Sequence, residues 1–253
     1  MMLKKEDEEW LAESHPRLTR TGSRVEGTIT FRATHNADTG LFLIVSDDVC
    51  DTVGGLSLCG TFEISIEERS DKAISKLPAL RVEGIEAVSD RHFSQLDKSA
   101  CLSSPFEETD FLVPDLDFRG YIERLVIPFL YGQIFYSQHE RWPWSDYAHG
   151  AVGLLESYSR CPENVDPTEC LRLLMMDSNW PKVRAALLQE SIKGHTQCFC
   201  AKGDNIRRCH PAAMRGVQQL QRELRAMKAM NLVFHGRLDK GPPEPSRGFL
   251  TRT

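Results

Sequence analysis

From Val25 to Thr34 apolar and polar residues alternate, with Val25, Ile29, Phe31 and Ala33 set against Glu26, Thr28, Thr30 and Arg32. That period of two predicts a half-buried strand. The stretch before it, Glu6 to Ser14, has helix formers around Trp10 and Leu11, and His15-Pro16 stops it, so a short amphipathic helix comes first. Asn36-Ala-Asp-Thr-Gly40 supplies turn residues before a second apolar run, Leu41 to Val45, and the two runs are expected to pair as a hairpin. A third strand is predicted at Thr61 to Glu67, where Phe62, Ile64 and Ile66 face away from Glu63, Ser65 and Glu67. A short fourth follows Pro78 at Leu80 to Val82. Gly54-Gly55 reads as loop punctuation, because no Lys-Ser/Thr follows to complete a phosphate-binding loop.

After an irregular segment from Ser89 to Pro114 the pattern turns helical. Ile122, Leu125, Val126 and Phe129 recur at helical spacing, and Pro128 must kink or divide that helix. Leu154 to Ser159 predicts a short helix. Asp166-Pro167 opens another through Met176, and Asn179, Trp180 and Pro181 start a third through Ile192, which Gly194 ends. Ala212 to Met230 carries Met214, Val217, Leu220, Leu224 and Met227 on one face. The Gly-Pro-Pro-Glu-Pro-Ser-Arg-Gly run beyond Gly236 holds too little apolar surface for a core, and disorder is expected there.

With 253 residues, 41% of them hydrophobic, the chain has enough apolar mass for an ordinary core. A net charge of -5 argues against nucleic acid as a partner, and Arg207, Arg208, Arg215, Arg222, Arg225 and Lys228 read as a solvated helix face. The opening Lys-Lys-Glu-Asp-Glu-Glu is no secretory signal, and no apolar run approaches the roughly 20 residues that span a bilayer. Eight cysteines then imply a reducing, cytoplasmic setting, with Cys50, Cys59, Cys161 and Cys170 expected as small buried hydrophobes.

Four residues change that picture. Cys198 and Cys200, then Cys209 and His210, offer the four ligands of a closed tetrahedral Zn²⁺ site, and Gly203, Asp204 and Asn205 let the chain fold back between the pairs. Cys-x-Cys-x8-Cys-His, with Arg207-Arg208 before the last pair, resembles the SEC-C motif found at the ends of bacterial proteins such as the secretion ATPase. The resemblance implies a structural knuckle that recruits partner proteins.

The order of elements in the first half carries a second resemblance. A helix, a four-strand meander, Leu77-Pro78-Ala-Leu-Arg-Val82, His92, and Cys101-Leu102 before the next helix are similar to the ubiquitin-conjugating enzyme superfamily. That resemblance implies that Cys101 is the thioester-forming nucleophile and that His92 braces its loop. Phe93-Ser94 stands where the family has Pro-Asn, so the group that polarises the thioester carbonyl is replaced, with Ser94 or Gln95 as candidates. Ser99, Ala100, Ser103 and Ser104 around Cys101 are small enough to leave room for an incoming chain terminus. Trp144-Ser-Asp-Tyr-Ala-His149-Gly150 also looks like divergent bacterial members of the family, those encoded beside ubiquitin-like and activating-enzyme genes in antiphage and related conjugation operons.

Asp97 and Asp110, which could steer an incoming lysine, are read as solvated. Ser145, Asp146 and His149 lie too close together for a hydrolase triad and lack a Gly-x-Ser-x-Gly elbow, so Trp142, Trp144 and Tyr147 are read as packing. The expectation is an α+β protein: a ubiquitin-conjugating-like domain at 1–155, a helical connector at 156–195, a zinc knuckle with its helix at 196–232, and a disordered tail at 233–253. Its expected partners are a ubiquitin-like protein, its activating enzyme, and a target bound through the knuckle. The competing class is a non-catalytic zinc-binding adaptor. A third is an accessory protein contacting RNA through residues 207–228.

Overall fold

The computed structural model describes residues 5–45, 54–70, 75–94, 97–108, 116–144, 148–161, 165–200 and 202–235. Cys50, Gln95, Asp110, Ser145, Asp146, Tyr147 and the tail from Gly236 lie outside the described residues. The chain is α+β and divides into two compact units, Met1–Tyr147 and Ala148–Thr253. The sequence placed its boundary at residue 155; the division falls ahead of the helix that spans that position.

In the first unit, α1 (Lys5–Ser14) buries Leu11 and packs Trp10 on the core, and the His15 amide closes it on the Leu11 carbonyl at 2.8 Å. Five strands follow: β1 (Leu18–Thr21), β2 (Arg24–His35), β3 (Phe42–Ile44), β4 (Leu56–Glu67) and β5 (Ala79–Val82). Alternation decides which way β2 faces: Val25, Ile29, Phe31 and Ala33 are all buried, as their spacing requires. The β2–β3 hairpin forms as expected, from Ala33 opposite Ile44 to His35 opposite Phe42. Asn36 Oδ1 holds its turn by accepting from the amides of Asp38 and Thr39.

The meander differs from the one expected. Its path is β1-β2-β4-β5, and β3 is a side strand off this path that pairs with the end of β2. β4 begins at Leu56, five residues earlier than its alternation shows, and pairs with β2 along its whole length, from His35 opposite Leu56 to Arg24 opposite Glu67. With that edge of β2 taken, β1 and β3 share the other edge, at opposite ends. Gly60, just ahead of the expected start of this strand, is there for close packing: a Cβ on it would lie 2.7 Å from Ile134 Cδ1 and 3.0 Å from Phe31.

The helix over this sheet is α2 (Phe118–Tyr121), a π turn (Ile122–Val126) and α3 (Ile127–His139). Asp117 caps it, accepting from the Gly120 amide at 2.7 Å. Pro128 neither breaks nor sharply divides it. A proline in a helix has no N–H for the carbonyl four residues back and its ring strikes that carbonyl. Here that residue is Arg124, and the wide π turn lies over it. Tyr121, Ile122, Leu125, Val126, Phe129 and Leu130 then meet Ile29, Phe31, Ile64, Ile66 and Leu80 in one core.

The second unit comprises α4 (Gly150–Tyr158), α5 (Pro167–Met175), α6 (Trp180–Leu187), α7 (Ile206–Cys209), α8 (Pro211–Ala226) and α9 (Met230–His235). Its organiser is α8, whose Val217, Leu220 and Leu224 are fully buried. Gly216 lets α4 approach so closely that a Cβ there would fall 2.1 Å from the Leu155 carbonyl oxygen. Gln221 Nε2 donates to the carbonyls of Ala186, Leu187 and Gln189, which ends α6 at Leu187, before the expected Ile192. The residues read as a connector therefore share one core with the helix that follows the cysteines. Lys228, at φ 55, breaks the expected run to Met230 and leaves Met227 exposed.

Candidate functional site

The four predicted metal-ligating residues come together. A hairpin brings Gln197 opposite Asn205, with the Cys198 amide donating to the Asp204 carbonyl at 2.8 Å and the Ile206 amide to the Thr196 carbonyl at 2.8 Å. Gly203, at φ 83, takes the left-handed position of the turn. α7 then carries Cys209 back toward the hairpin. Pro211 opens α8 and denies the helical region to the residue before it, so His210 sits at φ -141 between the two helices. That break turns its ring out, and Nδ1 lies 3.2 Å from Cys198 Sγ. Cys200 and Cys209 place their sulfurs 3.4 Å apart.

All four ligand atoms lie within 4.8 Å of one another. A tetrahedral Zn²⁺ with Zn–S of about 2.3 Å and Zn–N of about 2.0–2.1 Å separates its ligands by about 3.5–3.8 Å, inside that spread. The cluster can therefore hold a metal ion. Cys198 is fully buried, and its thiol is pushed up to about 12, by burial first and also by the neighbouring Cys200 and Cys209. Three crowded sulfurs resist ionising together, and a divalent cation among them reverses that preference.

Cys101 lies in the first unit, directly after an isolated bridge between Phe93 and Ala100. Three backbone bonds fix it: Ser94 N–H to the Ser99 carbonyl, Ala100 N–H to the Leu80 carbonyl of β5, and Cys101 N–H to the His92 carbonyl at 2.7 Å. His92 takes the left-handed conformation at φ 55, and its ring meets Trp142 edge-on with centroids 4.4 Å apart. Gln133 of α3 donates to the Arg91 carbonyl at 2.7 Å, and Trp142 Nε1 donates to the Asp90 carbonyl. His92 thus bears on Cys101 through its backbone. Cys101 is exposed, while Ser99 and Ala100 beside it are buried, so of the small neighbours only Ser103 and Ser104 stay part-open beside the sulfur.

Although Cys101 is exposed as a residue, protein atoms crowd round its sulfur, and that crowding first, then the charge of Asp97, pushes the thiol up to about 11, with Arg69 opposing and Glu108 adding. Burial would raise the Asp97 carboxyl too, but hydrogen bonds from Arg69, Ser94 and Ser99 hold it well below the usual range. Asp97 is no solvated loop residue: Arg69 Nη1 donates to its Oδ2 at 2.6 Å. Glu108, raised chiefly by burial, accepts from the Lys76 amide at 2.6 Å. Neither Arg69 nor Glu108 stands out in the sequence, because a charged residue just past a strand and another in an acidic run both look solvated.

Among the remaining candidates, Cys170 is buried as expected, Cys161 is half-buried, and Cys59 is exposed on β4 because its register turns it away from the core. Trp142 and Trp144 pack against rings, Trp144 stacking on Tyr131. His149 stands exposed at the start of α4 and makes no side-chain cap. Among the described residues no helix is long and apolar enough to cross a membrane. No family model matches the chain, and no curated protein or solved structure is significantly similar to it.

Proposed function

We propose that the first unit is a module of the ubiquitin-conjugating type that accepts the C-terminus of a ubiquitin-like protein as a thioester on Cys101 and passes it to an amine. The observation that carries this reading is an exposed cysteine held by backbone bonds between a sheet strand and a braced left-handed turn. The Cys101 thiolate adds to the thioester carbonyl presented by an activating enzyme, and collapse of the tetrahedral oxyanion expels that enzyme's thiolate. Attack by an amine then expels the Cys101 thiolate in turn. The oxyanion needs hydrogen-bond donors. Among the described residues no acceptor faces the Leu102 and Ser103 amides, which makes them the donors available in place of the family's asparagine.

The Cys198, Cys200, Cys209 and His210 cluster binds one structural Zn²⁺ in this reading, and the knuckle recruits the target. The setting is a reducing cytoplasm, where these thiols persist. The test is a non-reducing gel of the protein with a ubiquitin-like protein, its activating enzyme and ATP. Wild type forms a conjugate that thiol reductant destroys, Cys101→Ala forms none, Cys101→Ser traps a reductant-resistant ester, and Cys59→Ala charges normally. One observation favours a second reading, a non-catalytic adaptor: a thiol at about 11 is almost wholly protonated at neutral pH. A wild type that never acquires a reductant-sensitive adduct selects the adaptor.

A further inference from the structure

Arg69 follows the end of β4, far in sequence from Cys101. Its guanidinium donates through Nε to the Leu77 carbonyl at 3.1 Å, through Nη1 to Asp97 Oδ2 at 2.6 Å, and through Nη2 to Ser99 Oγ at 2.6 Å. One planar group therefore joins the approach to β5 and the segment that carries Cys101. Ser99 strengthens the junction, donating from its hydroxyl to Asp97 Oδ1 at 2.8 Å. The Arg69 side chain is only 19% exposed and Ser99 is buried, so this is not a surface ion pair of negligible worth.

We propose that Arg69 is the positioning residue of Cys101, a proposal that rests on the reading of Cys101 as the acyl acceptor. It locks the Cys101 segment onto the β4–β5 end of the sheet, and its cation offsets the two carboxylates that act on the sulfur. Those carboxylates are Asp97, from the segment itself, and Glu108, from the chain that follows. From α2, the buried Tyr121 phenol donates to the Pro78 carbonyl and stays neutral, and among the described residues Arg69 is the cation that bears on this thiol. Lysine in its place keeps the charge but loses the fork that reaches three acceptors.

Iodoacetamide alkylation of Cys101 in the full chain, followed by peptide mass spectrometry between pH 7 and 9.5, tests this without any partner protein. A thiol of lower pKa is also a weaker nucleophile, with a Brønsted slope of about 0.4–0.5, so a one-unit displacement changes the rate at fixed pH by about threefold. Arg69→Gln is expected to slow alkylation at pH 8 by about that factor, Asp97→Asn to speed it by a similar one, and Arg69→Lys to stay within about twofold of wild type. An arginine that only held the fold together would expose the sulfur when either partner was lost, and both rates would rise. That result, or an unchanged rate in a folded Arg69→Gln, overturns the proposal. If Arg69→Gln does not fold, Arg69→Lys and Asp97→Asn carry the test together: a purely structural arginine would raise both rates, so an Arg69→Lys rate more than about twofold above wild type, or an Asp97→Asn rate that falls or stays constant, overturns it. A wild type that takes up no ubiquitin-like protein while these rates move as stated refutes the transfer reading and supports the clamp.

Discussion

Removing one metal ligand should undo the knuckle and leave the first unit intact. Fixing the roughly fifteen residues from Thr196 to His210 costs on the order of 15–30 kcal/mol of backbone entropy, at about 1–2 per residue. The seven backbone hydrogen bonds made by the amides of Thr196, Cys198, Ile206, Arg207, Arg208, Cys209 and His210 return about 4–10 kcal/mol. Burying Phe199 and Ile206 returns about 3–6 kcal/mol more. The deficit is on the order of 10 kcal/mol, which is what a structural zinc supplies, at about 10–16 kcal/mol. Purified protein should accordingly hold about one zinc per chain, and Cys200→Ser should release it. Elemental analysis reads the metal, and hydrogen exchange reads the amides of Cys198, Ile206, Cys209 and His210, which should lose their protection while β2 and β4 keep theirs. Because each thiol must lose a proton to bind, acid should displace the metal and base should restore it. Full zinc stoichiometry in Cys200→Ser, or unchanged protection after chelation, would refute the reasoning.

With the Cys101 thiol at about 11, its thiolate fraction grows about tenfold per pH unit below that value, so single-turnover charging should rise with a log slope of one from pH 7 to 9; a plateau in that range contradicts the assignment. Gln221→Leu strands the Leu187 carbonyl at the end of α6, since the Ala186 carbonyl keeps the Gln189 amide and the Gln189 carbonyl keeps Arg225 Nη2, and should destabilise the second unit by about 1–3 kcal/mol in urea melts; a loss under about 0.5 would show that water replaces the amide. Truncation after Ser191 removes α8, whose Val217, Leu220 and Leu224 contribute about 1.5–3 kcal/mol each, so α4 to α6 should melt while the first unit keeps its own cooperative transition and its charging. Dispersed amide resonances for residues 148–191 in that fragment would show that the helices form a core without α8.

Strands with one buried face and little else to do are the part of this fold legible in the sequence, since β2 buries Val25, Ile29, Phe31 and Ala33 and the second half of β4 buries Ile64 and Ile66, with Phe62 partly buried on the same side. β1 escaped because only Leu18 of its four residues is buried, leaving no alternation to detect. The first half of β4 escaped for a different reason. Gly60 looks like loop residue on propensity, yet α3 presses so near that no side chain fits there, a fact that belongs to tertiary packing. Missing β1 and shortening β4 together made β3 look like a meander strand, although among the described residues it pairs with three residues of β2 alone. The metal cluster was legible because its four residues lie within thirteen positions and ligand chemistry needs those types at close range.

The surroundings of Cys101 show why a cysteine is easier to single out in a sequence than its environment. A cysteine flanked by small residues suggests an open pocket, but Ser99 and Ala100 turn inward, Ser99 to Asp97 and Arg69 and Ala100 to the Leu80 carbonyl. Their small size serves the bridge that presents the sulfur. An aspartate four residues ahead of the cysteine reads as solvated in the sequence, but a carboxylate held ionised by Arg69, Ser94 and Ser99 would lose those contacts on protonation and so has no tendency to take a proton at neutral pH. Its effect on the sulfur is to disfavour the thiolate, and Arg69 opposes it. The residue to watch is therefore Arg69, because a partner carboxylate competing for its guanidinium would release Asp97 toward the sulfur and slow the thiol, whereas a partner cation beside Asp97 would quicken it.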